Sequence, residues 1–179
     1  MKALEHLKSF EDFTMKYEDL TQSSKEKVKS TIKYTLSKNP IQNKKHVAKR
    51  CLIATLAEQK VAEHMNGHVM DSEVDFTDPY SFAFDVLSSH EYHGARIEVK
   101  THQSDSKWIN VNLDLENKSN FMNLYPFLNY GVADFIIIFK SYEPSKGLYM
   151  FEPCFIGTQA DITAVINKSM YNDQFYLDI

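Results

Sequence analysis

The run Asp134-Phe-Ile-Ile-Ile-Phe-Lys140 constrains the fold of this chain more tightly than any other stretch. Consecutive isoleucines framed by phenylalanines read as a strand. Both faces of that strand are apolar, so both must be covered, as in a central or parallel strand with layers on either side. Long amphipathic helical segments accompany it, and the chain therefore reads as α/β. The five-residue apolar core of this run is far shorter than the roughly 20 residues of a membrane-spanning helix, so no membrane partner is expected.

A chain of 179 residues with 43% hydrophobic content can build one domain with a proper core and is too apolar to remain disordered. We read it as one compact unit, with a basic, helical N-terminal extension over 1–44 packed on a domain of 45–179. Met1-Lys-Ala-Leu-Glu-His6 lacks the apolar segment of a secretory signal, and two cysteines, Cys51 and Cys154, give neither a metal spacing nor a disulfide framework. The expectation is a cytoplasmic protein.

In chain order, residues 2–16 read as a short helix. A second helix begins near Ser23, where Ser23-Ser-Lys-Glu26 has capping-box spacing, and ends at Asn39-Pro40. A third runs from about Lys45 to Asn66, with Gly67 past its last turn. Strands are expected at 68–76, 81–88, 95–102, 107–113, 134–140 and 148–151, with helices at 115–130 and 158–167. The closing 174–179 reads as a last edge strand. Trp108 reads as a core residue.

Three acids stand where an acid is costly. Val47, Cys51, Ala54, Val61 and Met65 form the apolar stripe of the third helix, and Glu58 falls in the middle of it. Asp85 lies in the apolar run Ser81-Phe-Ala-Phe-Asp-Val-Leu-Ser88, and a buried carboxylate needs a cation, a donor or a proton. In Ala95-Arg-Ile-Glu-Val-Lys-Thr-His102, alternation places Glu98 and Lys100 on one face of a strand. A hairpin between the last two segments would bring Asp85 to Glu98.

A helix Glu, a strand Asp and a strand Glu-x-Lys in this order resemble the PD-(D/E)XK nuclease superfamily, over roughly residues 45–152, with Phe84 standing where that motif often has Pro. The resemblance implies a restriction-endonuclease-like αβββαβ core, a mixed central sheet flanked by helices. It also implies a catalytic set of Glu58, Asp85, Glu98 and Lys100. Asp85, Glu98 and the Val99 carbonyl would bind Mg²⁺ or Mn²⁺, Glu58 would complete the site, and Lys100 would orient the attacking water. His102 and Gln103, just past the motif, would be accessory residues. If the core begins with strand 68–76, the Trp108 strand is an addition; if it begins at Phe82, the motif sits one strand early.

Charge points to a polyanion. Residues 25–50 carry a net +8, whereas the remainder of the chain carries −12. Lys25, Lys29 and Lys33 line the second helix, and Lys44, Lys45, Lys49 and Arg50 gather at the start of the third. Free backbone N–H groups there would add to the attraction for phosphate. The expected activity is a metal-dependent deoxyribonuclease, an endonuclease acting on DNA, with a homodimer as the usual way for a small nuclease to cut both strands. The alternatives are a ribonuclease and a non-enzymatic binding protein of the same fold in which Glu98 and Lys100 are a structural ion pair. His90, His93 and His102 with Glu91 form a weaker zinc candidate.

Overall fold

A computed structural model of the chain describes residues 2–70, 83–103, 106–114 and 121–179. The acidic segment at 71–78, the polar turn at 104–105 and the first part of the helix expected at 115–130 lie outside the described residues. The elements are α1 (Lys2–Leu7), β1 (Phe13–Lys16), α2 (Gln22–Lys38), α3 (Lys44–His64), β2 (His68–Val69), β3 (Val86–Leu87), β4 (Arg96–His102), β5 (Trp108–Asn112), β6 (Met122–Asn123), α4 (Tyr125–Tyr130), β7 (Phe135–Ser145), β8 (Leu148–Gly157), α5 (Gln159–Val165), β9 (Ile166–Lys168) and β10 (Phe175–Asp178).

Two sheets result. The larger runs β1-β8-β7-β4-β3-β2, with β4 and β7 parallel and the other neighbours antiparallel. The smaller runs β6-β5-β10-β9. The Trp108 strand therefore belongs to a separate sheet and is an addition to the larger one. β10 is no edge strand, because it is paired on both sides, with β5 and with β9.

The apolar run through Phe135-Ile-Ile-Ile-Phe139 lies between two cores. Ile137 and Phe139 enter a cluster with Ile53, Leu56 and Val61 of α3, and the alternating Ile136 and Ile138 enter a second cluster with Ile109, Val111 and Leu177 of the smaller sheet. Covering both faces is what such a strand requires. Ala3, Leu7, Phe10, Met15 and Val28 share the first cluster, so the N-terminal segment is built into the same core as α3.

Three local expectations need correction. The first helix stops at Leu7, and Phe13–Lys16 is a strand paired with β8 because Phe13 stacks on Phe151, ring centroids 4.6 Å apart. α2 is capped by Thr21, whose hydroxyl accepts from the Ser24 N–H at 3.2 Å, rather than by Ser23. Pro153 does not end β8: the strand continues to Gly157 through a register shift opposite Phe139, where a bulge accommodates the missing donor.

The end of α3 differs from the expected glycine stop. Asn66, not Gly67, takes the left-handed conformation (φ 47°), while Asn66 N–H donates to Glu63 C=O at 3.2 Å and Gly67 N–H to Ala62 C=O at 2.8 Å. This pairing is a Schellman motif. Gly67 is needed for room, since a Cβ there would lie 2.2 Å from the Leu87 carbonyl oxygen. Gly67→Ala is expected to push β3 from α3 and cost about 1–3 kcal/mol, as overpacking does. Urea unfolding would check this, and an unchanged midpoint would show that β3 shifts freely.

Candidate active site

Asp85 is the last residue before β3. Its N–H donates to the Ile97 carbonyl at 3.0 Å, and its Oδ2 accepts from the Val99 N–H at 2.8 Å. The β3–β4 register pairs Val86 with Ile97, so continuing it by one residue sets Asp85 opposite Glu98. The hairpin thus brings the two acids together. Arg96 fixes the other end of β4: its guanidinium forks onto Asp134 at 2.7 and 3.2 Å, and the Asp134 N–H donates back to the Arg96 carbonyl at 2.8 Å. This bidentate pair, with the hydrogen bonds to Arg96 foremost, holds the Asp134 carboxyl below its usual range.

On β4 the buried Ile97 and Val99 alternate with Glu98 and Lys100. Lys100 Nζ donates to Glu98 Oε1. Glu58 is 7% exposed on the buried face of α3, as its place in the apolar stripe requires, and its Oε2 lies 2.8 Å from Lys27 Nζ. Lys27 also donates to the Met70 carbonyl at 3.0 Å. Sequence reasoning counted Lys27 only within the basic run and missed this role.

Burial pushes the Glu98 carboxyl up to about 7, with Asp85 and Glu58 adding to the rise and Lys100 opposing it. Burial also raises Glu58, helped by Asp85 and opposed by Lys27. Burial works against the Lys100 ammonium, but Glu98 and Asp85 outweigh it and raise its pKa, so it remains protonated at neutral pH.

A cleft of about 570 Å³ opens over these groups, lined by Glu58, Asp85, Val99 and Lys100, by Lys27, Thr31 and Thr35 of α2, and by Arg50 and Ala54 of α3. Spacing of four residues along each helix gives each a single ridge toward the cleft. Glu98 is reached through Lys100 and is not itself part of the lining. His102, Gln103, Asn110 and Asn123 form the far wall. His102 Nε2 is buried with no hydrogen-bond partner among the described residues, and burial, with Lys140, lowers its pKa, so the ring is neutral at pH 7.

The basic residues divide. Arg50 lines the cleft, and the exposed Lys44 and Lys45 stand at the α3 N-terminus. Two N–H groups there, of Lys45 and His46, are already taken by Asn43 Oδ1 at 3.0 and 3.2 Å, contrary to the expectation that they are free. Lys49 is paired with Glu143 at 2.6 Å. Lys25, Lys29 and Lys33 fall on the side of α2 away from Lys27, Thr31 and Thr35, and Lys25 lies 5.4 Å over the Tyr17 ring.

Among the described residues no three of His, Cys, Asp and Glu are grouped so as to hold a metal ion. This removes the zinc candidate, since His90 and His93 are exposed beyond one end of β4 and His102 closes the other. Glu58, Asp85 and Glu98 are engaged separately, by Lys27, the Val99 N–H and Lys100. Among the described residues no helix is long and apolar enough to cross a membrane.

A cleft that gathers carboxylates and lysines between two helices and a strand pair suits phosphodiester chemistry, and comparison with known proteins agrees. The chain is 42% identical over 179 residues to endonuclease IV of Enterobacteria phage T4, covering 98% of this chain and 96% of that protein. The family model described as bacteriophage T4 endonuclease IV matches residues 1–179, and the chain belongs to that family.

Proposed function

We propose that the protein is a DNA endonuclease that hydrolyses phosphodiester bonds in the cleft over Glu58, Asp85, Glu98 and Lys100, with Mg²⁺ or Mn²⁺ as cofactor. The observation that carries the reading is that Glu58 of α3, Asp85 just before β3 and Lys100 of β4 line one opening, with Glu98 held behind it by Lys100. The strand order β2-β3-β4-β7-β8 with α3 packed on it supports placing the chain in the PD-(D/E)XK superfamily.

Carboxylate oxygens are the donors a hard divalent cation takes, and holding one here would require Glu58 and Glu98 to turn from Lys27 and Lys100 toward it. Burial and mutual repulsion raise Glu98 and Glu58, and a 2+ charge would relieve both. Asp85, Glu98 and the Val99 carbonyl would hold the ion, with Glu58 completing the site. A bound ion would polarise the phosphate and make a water nucleophilic. Lys100, protonated at neutral pH, is suited to orient that water and to donate to the phosphate oxygens as charge develops, and cannot be the base. Neutral His102 and Gln103 sit where a sugar–phosphate backbone would cross. Arg50, Lys44 and Lys45 would hold flanking phosphates, and Lys25, Lys29, Lys33 and Lys49 would act at longer range. A second copy would supply the second cut in a duplex.

The test is conversion of supercoiled plasmid to nicked and linear forms in Mg²⁺, Mn²⁺ or EDTA, with RNA as a parallel substrate. Cutting that needs the metal is expected. A folded protein that binds DNA and cuts neither nucleic acid would mean that Glu98 and Lys100 are a structural pair.

Proton linkage gives a second expectation. The Glu98 proton must leave before the carboxylate can bind a cation, so affinity rises with pH up to the carboxyl's value of about 7. Below it, Mn²⁺ binding is expected to weaken about tenfold per pH unit. Calorimetric titration of the protein with Mn²⁺ from pH 5.5 to 8 would read this directly, and a flat affinity would remove Glu98 from the ligand set.

A further inference from the structure

The outer face of the smaller sheet carries aromatic residues that the core does not use. Trp108, read from the sequence as a core residue, is 57% exposed, while its neighbour Ile109 is 1% exposed. Alternation along β5 explains the error: it separates the two faces without saying which is inside, and Ile109 and Val111 are the ones that enter the core. Tyr176 of β10 is registered opposite Asn110, and its ring meets Trp108 edge-on, centroids 6.3 Å apart. The turn between β9 and β10 adds Met170 and Tyr171, 91% and 94% exposed. Together they line a groove of about 320 Å³, with Asn110, Ser169, Asn172 and Gln174 as its polar members.

Asn110 also lines the cleft over Asp85 and Lys100, so the groove and the cleft meet at that residue. From Asn110 to Trp108 is two residues along a strand, roughly 7 Å, a distance that one nucleotide spans. We propose that this groove is a nucleobase subsite, in which bases next to the scissile phosphate leave their stack and lie against Trp108 and Tyr171. The inference rests on the nuclease reading of the cleft. Aromatic faces suit every base, and the amides meet base edges, the combination found where strands are held by stacking. Lys107 and Lys168 lie near the groove, ion-paired with Asp178 and Asp173 at 3.2 and 2.9 Å, so charge alone does not account for the surface.

Trp108 is the only tryptophan in the chain, so its emission reports on this groove alone. In EDTA, a twelve-nucleotide single-stranded oligonucleotide is expected to quench it, while an abasic strand of equal length and charge leaves it unchanged. Tyr171→Ala, at a fully exposed position, is expected to weaken oligonucleotide binding about tenfold, as loss of one stacked base does. The proposal is overturned if both strands change the emission equally, or if a bound oligonucleotide leaves it untouched. It is also overturned if Tyr171→Ala binds the oligonucleotide as wild type does but dissociates a dimer in sedimentation, which would make the face a self-association surface. Metal-dependent plasmid cutting without quenching would defeat this subsite and leave the nuclease reading standing; base-dependent quenching without cutting would do the reverse.

Discussion

Lys100→Ala is expected to slow plasmid nicking by about two to three orders of magnitude, the loss seen when one preorganised donor to developing charge is removed. Glu98 and Asp85 hold the Lys100 ammonium protonated in spite of its burial, so it reaches the phosphate already charged. Its removal leaves Glu98, 12% exposed in its side chain, without its cation, and the carboxyl then takes up a proton more readily. Binding of the plasmid in EDTA should hardly change, because Arg50, Lys44 and Lys45 remain. Cutting and binding are therefore measured on the same preparation, with thermal unfolding as the check that it is folded. Undiminished cutting by a folded variant would move the chemistry away from β4. Lys100→Gln keeps more of the side chain's volume and gives a second route to the answer if alanine unfolds the protein.

Where these four residues stand was legible in the sequence because two of them broke a local pattern and two followed one. Glu58 interrupted a helical stripe, Asp85 interrupted an apolar run, and Glu98 with Lys100 followed the alternation of a strand whose other face is Ile97 and Val99. Both kinds of signal depend on period alone, which a sequence carries. The strand through Ile136, Ile137 and Ile138 was legible for the same reason, and the structure covers it on both faces. What the sequence did not carry was the pairing of elements far apart in the chain. Phe13–Lys16 is a strand because β8 offers it an edge, and β10 is interior because β9 follows α5 and pairs beside it. The basic run was read as one surface, yet the packing of α2 on α3 turns Lys27 inward and Lys25, Lys29 and Lys33 away. The helical period sets Lys27 on another face from Lys25, Lys29 and Lys33, but nothing in residues 25–33 says that this face meets Glu58.

Lys27→Met is expected to cost about 3–5 kcal/mol at pH 8, the range measured when one partner of a buried ion pair is removed. The cost arises from Glu58, whose carboxylate is nearly inaccessible and whose proton affinity is already raised by burial and by Asp85. Without Lys27 that affinity rises further, since Lys27 is the chief influence lowering it. A raised folded-state pKa places the stability below the unfolded carboxyl's value and loses it as pH rises through the folded one. The variant should therefore approach wild type at pH 5 and fall away from it toward pH 8. Lys27→Met combined with Glu58→Gln removes both charges and should recover much of the loss at pH 8, because neither a bare ion nor a changed volume is left. Denaturant unfolding of the three proteins at the two pH values measures this. A pH-independent deficit, or a double variant no better than the single, would assign the loss to the contact between Lys27 and the Met70 carbonyl instead. Lys27, with Lys100 adding a smaller pull, stabilises the Glu58 carboxylate, and this accounts for α2 lying along α3 at this point: the helix that carries the basic run supplies the chief cation that lets an acid remain at the centre of a buried helix face.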